Sequence, residues 1–247
     1  MAKLAIIGGS GLASLAELRI TRQQVQNTPY GEPSGVLTYG VYADKEIIFM
    51  PRHGNPHIIP PHKVNYRANI WALRENGITS IIGVNAVGGI TSNMAPGSLV
   101  IPDQIIDYTW SRAHTFFDDG LSEVTHIDFT RPYSEELRQA LLSAAEQSGL
   151  KVHGAATYGA TQGPRLETAA EIKRLKNDGC DIVGMTGMPE ASLAREVEIQ
   201  YASVSIVANW AAGITGEAIS METINSMLSQ ALGKVHILLG AAIPALG

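Results

Sequence analysis

Residues 4–11 read Leu4-Ala5-Ile6-Ile7-Gly8-Gly9-Ser10-Gly11. An unbroken apolar run has the form of a strand covered on both faces, and the glycines let the chain leave it through a tight loop. The same form recurs along the chain. Ile47 to Met50 runs into Pro51, Ser80 to Val87 (with Asn85 inside it) into Gly88-Gly89, Ile182 to Met185 into Thr186-Gly187, and Ala202 to Ala208 into Asn209. Helical spacing fills the intervals. Lys63 to Asn76 carries Val64, Ala68, Trp71 and Ala72 and stops at Gly77, and Ser134 caps a segment with Glu135 and Glu136 in its first turn and Gly149 beyond its end. Glu167 to Asn177 and Pro189 to Val197 make two more, and Ser220 opens a last one with Ile224, Met227, Leu228 and Ala231 on one face. Strands alternating with helices predict an α/β fold with a mixed central sheet flanked by helices. With no repeat, low-complexity tract or polar linker, residues 1–247 are read as one domain.

Composition narrows the partners. Eighteen Lys and Arg stand against 23 Asp and Glu, a net charge of −5, with 45% hydrophobic residues. Such a chain can bury a large core, which excludes disorder as its main state. No block of basic residues is present, so neither a nucleic acid nor an anionic membrane is expected as partner. The single cysteine, Cys180, excludes an intrachain disulfide and fits a reducing cytoplasm. The first residues hold too short an apolar stretch for a signal peptide, and the run from Ile237 to Leu246 is broken by Gly240 and Pro244, short of the about 18 residues of a membrane span.

The predicted strands end in small or polar residues: Ser10, Arg52 with His53, Asn85 with Ala86, Thr186, and Asn209. Ligands gather at the carboxyl ends of strands in open α/β sheets, so these ends define a candidate site. Gly8 to Gly11 could turn backbone amides and a hydroxyl toward an anion. The same residues also read as a plain strand-to-helix turn, or as half a dinucleotide fingerprint with Ser14 where the third glycine belongs. Arg52 followed by His53 offers a guanidinium fork and a second donor to phosphate, or else a surface salt bridge. His53, His57 and His62 invite a metal, but Pro56, Pro60 and Pro61 prevent a helix that would align them and no nearby Cys or carboxylate completes a set, so a polar pocket role ranks above metal binding and no metal site is assigned. Glu167 either faces a ligand N–H or favours the positive end of a helix. The stretch from Ser111 to Pro132 lacks periodicity, and a loop of that length points to function or an interface.

Taken in order, Ile7 to Leu12, Arg52-His53-Gly54, Lys63 to Leu73 (KVNYRANIWAL), Asn85 to Gly89, Gly163 to Glu167 and Gly184 to Glu190 (GMTGMPE) resemble the trimeric purine nucleoside phosphorylases, including their methylthioadenosine phosphorylase branch. The resemblance spans nearly the whole chain. It implies a reversible phosphorolysis in which phosphate attacks the sugar C1′ and a free purine departs, a homotrimer with sites at subunit boundaries, and no cofactor beyond inorganic phosphate as co-substrate. Ser10, Arg52, His53, Asn85, Ala86 and Thr186 match the phosphate-binding positions, with Asn85 where the methylthioadenosine branch usually has threonine. Met185 matches the residue beside the ribose, and His126 a position that reaches into the adjacent subunit's 5′ pocket.

Base recognition departs from the methylthioadenosine pattern. That branch usually places two aspartates after the last strand, and this chain has Asn209, Trp210 and Ala211 instead. Asn209 and Glu167 match the base-binding residues of the 6-oxopurine enzymes, and with His53 they are the expected catalytic residues. Hypoxanthine carries N1–H as donor and O6 as acceptor, which suits a carboxylate and an amide. Adenine would set its N1 lone pair against Glu167. At the sugar end the histidine typical of 6-oxopurine enzymes is missing from Ile214 to Ile224, and Ile214, Ile219 and Met221 offer apolar surface to a methylthio group. The expected reaction is therefore phosphorolysis of S-methyl-5′-thioinosine to hypoxanthine and 5-methylthioribose 1-phosphate. An inosine and guanosine phosphorylase, or a methylthioadenosine enzyme with altered base contacts, are the alternatives, and a non-catalytic nucleoside-binding protein would not need Arg52, His53 and Thr186 together.

Overall fold

Strand β1 (Leu4–Gly8) lies between two parallel neighbours, β4 (Lys45–Pro51) and β5 (Ser80–Gly89), and all five of its residues are buried. This computed structural model describes residues 3–9, 17–120 and 123–246. Before β4, the strands β2 (Arg19–Gln24) and β3 (Leu37–Tyr42) extend the sheet antiparallel to its edge. Beyond β5 the chain forms α1 (Tyr66–Glu75) ahead of it and, after it, β6 (Leu99–Val100), β7 (Gln104–Asp107), α2 (Glu135–Gln147), β8 (Val152–His153), β9 (Thr157–Ala160), α3 (Ala169–Asn177), β10 (Ile182–Gly184), α4 (Glu190–Glu196), β11 (Gln200–Trp210) and α5 (Met221–Ala242).

The sheet is mixed, as the strand and helix alternation predicts. Its path runs β2-β3-β4-β1-β5-β10-β9-β7, and β11 joins along nearly all of β5. At its far end β5 pairs with β10 antiparallel through Gly88 and Gly89, so the sheet divides there. That division opens the space in which the candidate site lies.

The alternation of β1 sends Leu4 and Ile6 to one face and Ala5 and Ile7 to the other. The first face packs with α2 and α5 through Leu137, Leu141, Leu228, Val235 and Leu239. The second packs with α1 and α4 through Ile70, Leu73, Ala191 and Leu193. Helix caps agree with the sequence: the Ser134 and Ser220 side chains accept from Leu137 N and Thr223 N. Helix α3 begins two residues later than expected, because Thr168 is its cap and forms a reciprocal capping box with Glu171. Glu167 therefore stands outside the helix. Helix α5 is long and apolar enough, by length and composition, to cross a membrane, and it lies along the sheet with Ile224, Leu228, Ala231, Val235, Leu238, Leu239 and Ala242 buried.

Candidate active site

The ends of β1, β4, β5, β10 and β11 surround one cavity of about 560 Å³. Arg52, His53, Asn85, Ala86, Met185, Thr186, Glu167, Asn209 and Met221 all line it, together with Gly9. Residues separated by more than 150 positions in the chain thus share one wall. Ser10 lies outside the described residues. Two expected residues do not line the cavity. Ile214 packs with the cluster of Ile90, Ile172 and Val183 instead. His126 is exposed on the loop between β7 and α2.

Arg52 differs most from its sequence reading. Its side chain is fully buried, and its fork is taken by Glu190: Nε and Nη2 each donate to a Glu190 carboxylate oxygen at 2.7 Å, and Nη1 donates to the Val84 carbonyl at 2.8 Å. Glu190 is also fully buried and accepts from the Tyr201 hydroxyl at 2.9 Å. Burial opposes the charge on Arg52, and the Glu190 carboxylate more than offsets it, so the guanidinium is held above its ordinary range. Only the second hydrogens of Nη1 and Nη2 remain for a ligand. A Cβ at Gly9 would stand 2.7 Å from both Arg52 Nη1 and the Val84 oxygen, so only glycine lets the chain at the end of β1 lie this close to the guanidinium. The side-on fork is thus spent on Glu190, so a two-point contact to phosphate can come only from the end-on Nη1–Nη2 pair, and the surface salt-bridge alternative is corrected because the pair is buried.

His53 sits in the turn after β4, with Nδ1 2.8 Å from the Ile59 carbonyl oxygen and its ring stacked on His57 at 4.4 Å. Burial, reinforced by the Arg52 charge, pushes its pKa down to about 4, against the pull of the Ile59 bond. The ring is neutral at pH 7. Burial also lowers the pKa of His57.

On β11 the pairing with β5 slips between Val207 and Asn209. Strict alternation would put neighbours on opposite faces, but this bulge lets both Ala208 and Asn209 face the cavity. One Asn209 Nδ2 hydrogen goes to the Trp210 carbonyl at 2.7 Å, leaving the other and the carbonyl oxygen for a ligand. Half-buried Glu167 accepts from the Thr161 hydroxyl at 2.6 Å, which orients its carboxylate. Ile219, Met221 and Ile224 supply an apolar patch from the start of α5.

Sequence reasoning missed Glu190 and Arg112, whereas His57, singled out with His53, does line the cavity. Glu190 closes the Gly184 to Glu190 stretch, where a carboxylate among small and apolar residues was the available signal. Arg112 is 9% exposed and donates to the carbonyls of Met185 and Met188 at 2.9 and 2.5 Å and to those of Thr161 and Gln162 at 3.2 and 2.8 Å. It ties the Glu167 loop to the Met185–Thr186 loop, and its only signal in the sequence is its place in the aperiodic stretch from Ser111 to Pro132.

With this geometry in place, the profile of the phosphorylase superfamily matches residues 3–244. The chain belongs to the phosphorylase superfamily. Within that superfamily it is 53% identical over 245 residues to the probable S-methyl-5′-thioinosine phosphorylase of Pseudomonas syringae pv. tomato, covering 99% of this chain and 100% of that one. It is 48% identical over 250 residues to the 6-oxopurine nucleoside phosphorylase of Pyrococcus furiosus, with 99% and 93% covered. Methylthioadenosine phosphorylase from Schistosoma mansoni, solved with adenine, superposes with a TM-score of 0.94 at 34% identity, covering 100% of this chain and 92% of that one. The superfamily's mixed sheet flanked by helices is the fold described above.

Proposed function

We propose that this chain catalyses phosphorolysis of S-methyl-5′-thioinosine, releasing hypoxanthine and 5-methylthioribose 1-phosphate for salvage. One observation carries the reading: Glu167 and Asn209 line the same cavity as Arg52, His53 and Thr186, with Ile219, Met221 and Ile224 between sheet and helix. A carboxylate acceptor and an amide donor suit the N1–H and the O6 or N7 of a 6-oxopurine. The apolar patch suits a methylthio group better than a hydroxyl, which would be buried unpaired.

In this mechanism a phosphate oxygen attacks C1′ as the bond to purine N9 breaks, and the electron pair of that bond leaves with the base. Positive charge builds on the sugar and negative charge on the purine. Asn209 stabilises the departing base through its remaining N–H, Glu167 holds N1–H, and the phosphate stays close to the sugar, held by Arg52, His53, Ala86 and Thr186. The chemistry needs no covalent nucleophile and no cofactor, with inorganic phosphate as co-substrate. A homotrimer and a cytoplasmic location belong to the same reading.

The alternative substrate is an ordinary 6-oxopurine nucleoside, favoured by the Pyrococcus furiosus relative. A panel of methylthioinosine, inosine, methylthioadenosine and adenosine, assayed for phosphate-dependent base release, separates these. Methylthioinosine is expected to exceed inosine in kcat/KM, and to exceed methylthioadenosine by roughly 10⁴-fold, as a site built around a particular N–H does against an analogue lacking it. Equal turnover of methylthioadenosine would remove Glu167 and Asn209 as base readers. Inosine turned over as well or better would favour the alternative.

A further inference from the structure

At the phosphate end of the cavity, two side chains have their protons committed elsewhere. The His53 Nδ1 faces the Ile59 carbonyl at 2.8 Å. A carbonyl only accepts, so Nδ1 carries the hydrogen, and in the neutral ring Nε2 holds a lone pair. Burial and the neighbouring Arg52 charge keep that ring neutral. Thr186 is in the same position for a different reason. Its hydroxyl donates to Asn85 Oδ1 at 2.8 Å, so its oxygen offers a ligand lone pairs alone.

The orientation of Asn85 is set from behind. Its Nδ2 is 2.7 Å from Ser203 Oγ and 3.4 Å from the Gly83 carbonyl, and Ser203 continues to Ser205 at 3.1 Å. Turning the amide over would set Oδ1 against the Gly83 carbonyl, oxygen to oxygen. Asn85, Ser203 and Ser205 are at most 1% exposed and Thr186 is 6% exposed, so water does not compete for these groups. The positive charge nearby is itself compensated, because Arg52 is paired with Glu190. Among the described residues lining the cavity there is no lysine.

We infer that this end of the cavity reads the protons on its oxyanion: His53 Nε2 and Thr186 Oγ1 each accept from a separate P–OH, so the pocket takes dihydrogen phosphate and rejects sulfate, which has the same shape and no proton. Asn85 is the positioning residue that keeps Thr186 an acceptor. The inference rests on the phosphorolysis reading for the identity of the anion.

Calorimetric titration of the nucleoside-free protein with phosphate, arsenate and sulfate at pH 7.5 and constant ionic strength tests it. Arsenate carries As–OH and should bind within about threefold of phosphate. Sulfate should bind roughly ten- to hundredfold more weakly, the effect of leaving buried acceptors unpaired. Asn85→Ala frees the Thr186 hydroxyl to donate, so it should narrow the sulfate-to-phosphate ratio several-fold. A merely structural role for Asn85 would weaken both anions and leave that ratio unchanged. Sulfate binding within threefold of phosphate in the parent protein overturns the inference, as does an unchanged ratio in an Asn85→Ala protein that melts cooperatively. Phosphate preferred as stated but no base released in the nucleoside panel would sink the phosphorolysis reading alone.

Discussion

The Arg52–Glu190 pair places an ionic contact with no solvent exposure directly behind the candidate phosphate site. Removing one member of such a pair leaves the other charge buried and uncompensated, which typically costs about 3 to 5 kcal/mol. Glu190→Gln is therefore expected to lower the urea midpoint markedly although Glu190 does not line the cavity, and a midpoint equal to the parent's would contradict the burial of the pair. Arg52→Ala carries the same penalty, so its effect on phosphate binding must be read only from protein shown to be folded. His53 gives a pH signature. Its folded pKa is lowered from 6.5 to about 4, so between these values the unfolded chain binds more protons and stability falls as pH drops. The full effect is on the order of 3 kcal/mol. Thermal midpoints measured from pH 7 to 4 should decline less steeply in His53→Gln than in the parent, and parallel curves would show that the ring is not held neutral.

The cavity is shaped at the scale of elements by two loops, 161–167 and 185–188, and Arg112 holds both through backbone carbonyls. Lysine has one nitrogen and cannot reach both loops, so Arg112→Lys should lower nucleoside kcat/KM by about ten- to hundredfold through misplaced Glu167 and Met185. An unchanged nucleoside KM and kcat would assign Arg112 to folding alone. Such a clamp also marks the limit of what the sequence makes legible. The buried strands β1, β4, β5, β10 and β11 are apolar runs, and their polar ends lead to most of the cavity lining. Strand β2 is not legible in that way, because Arg19 to Gln24 is polar and almost wholly exposed. Nor are the two- and four-residue strands β6 to β9, which are too short for a period to register. The resemblance sets Ile214 on the pocket surface in place of the family's histidine, yet the turn after β11 carries it to Ile172 and Val183. Arg52 and Glu190 are 138 residues apart, and only the fold brings them together.

At the scale of the whole molecule, large apolar side chains stand open around the cavity. Ile58 follows His57, Leu166 adjoins Glu167, and Met221 lies at the start of α5, with exposures of 75%, 42% and 62%. Trp110 and Val124, 65% and 74% exposed, lie on or beside the long stretch between β7 and α2 that carries His126. An apolar rim of this kind marks an interaction surface, and closed symmetric self-association is the commonest way for a metabolic enzyme to cover one. A light-scattering mass near three times the 26.3 kDa chain is expected, and a monomer mass with full activity at assay concentration would contradict the trimer. If the proposed trimer is held through this rim and a neighbouring copy completes the site, Trp110→Glu should dissociate the assembly and raise the nucleoside KM together. The role of His126 can be separated from assembly by complementation. His126→Ala alone should raise the nucleoside KM while the mass stays trimeric; if KM is unchanged, His126 has no part in any site. If it contributes across the boundary, mixed assemblies of His126→Ala and Glu167→Ala chains will contain some sites with both residues intact. Such mixtures, refolded together, should exceed the activity of either variant refolded alone, whereas strict additivity would confine His126 to its own chain's site.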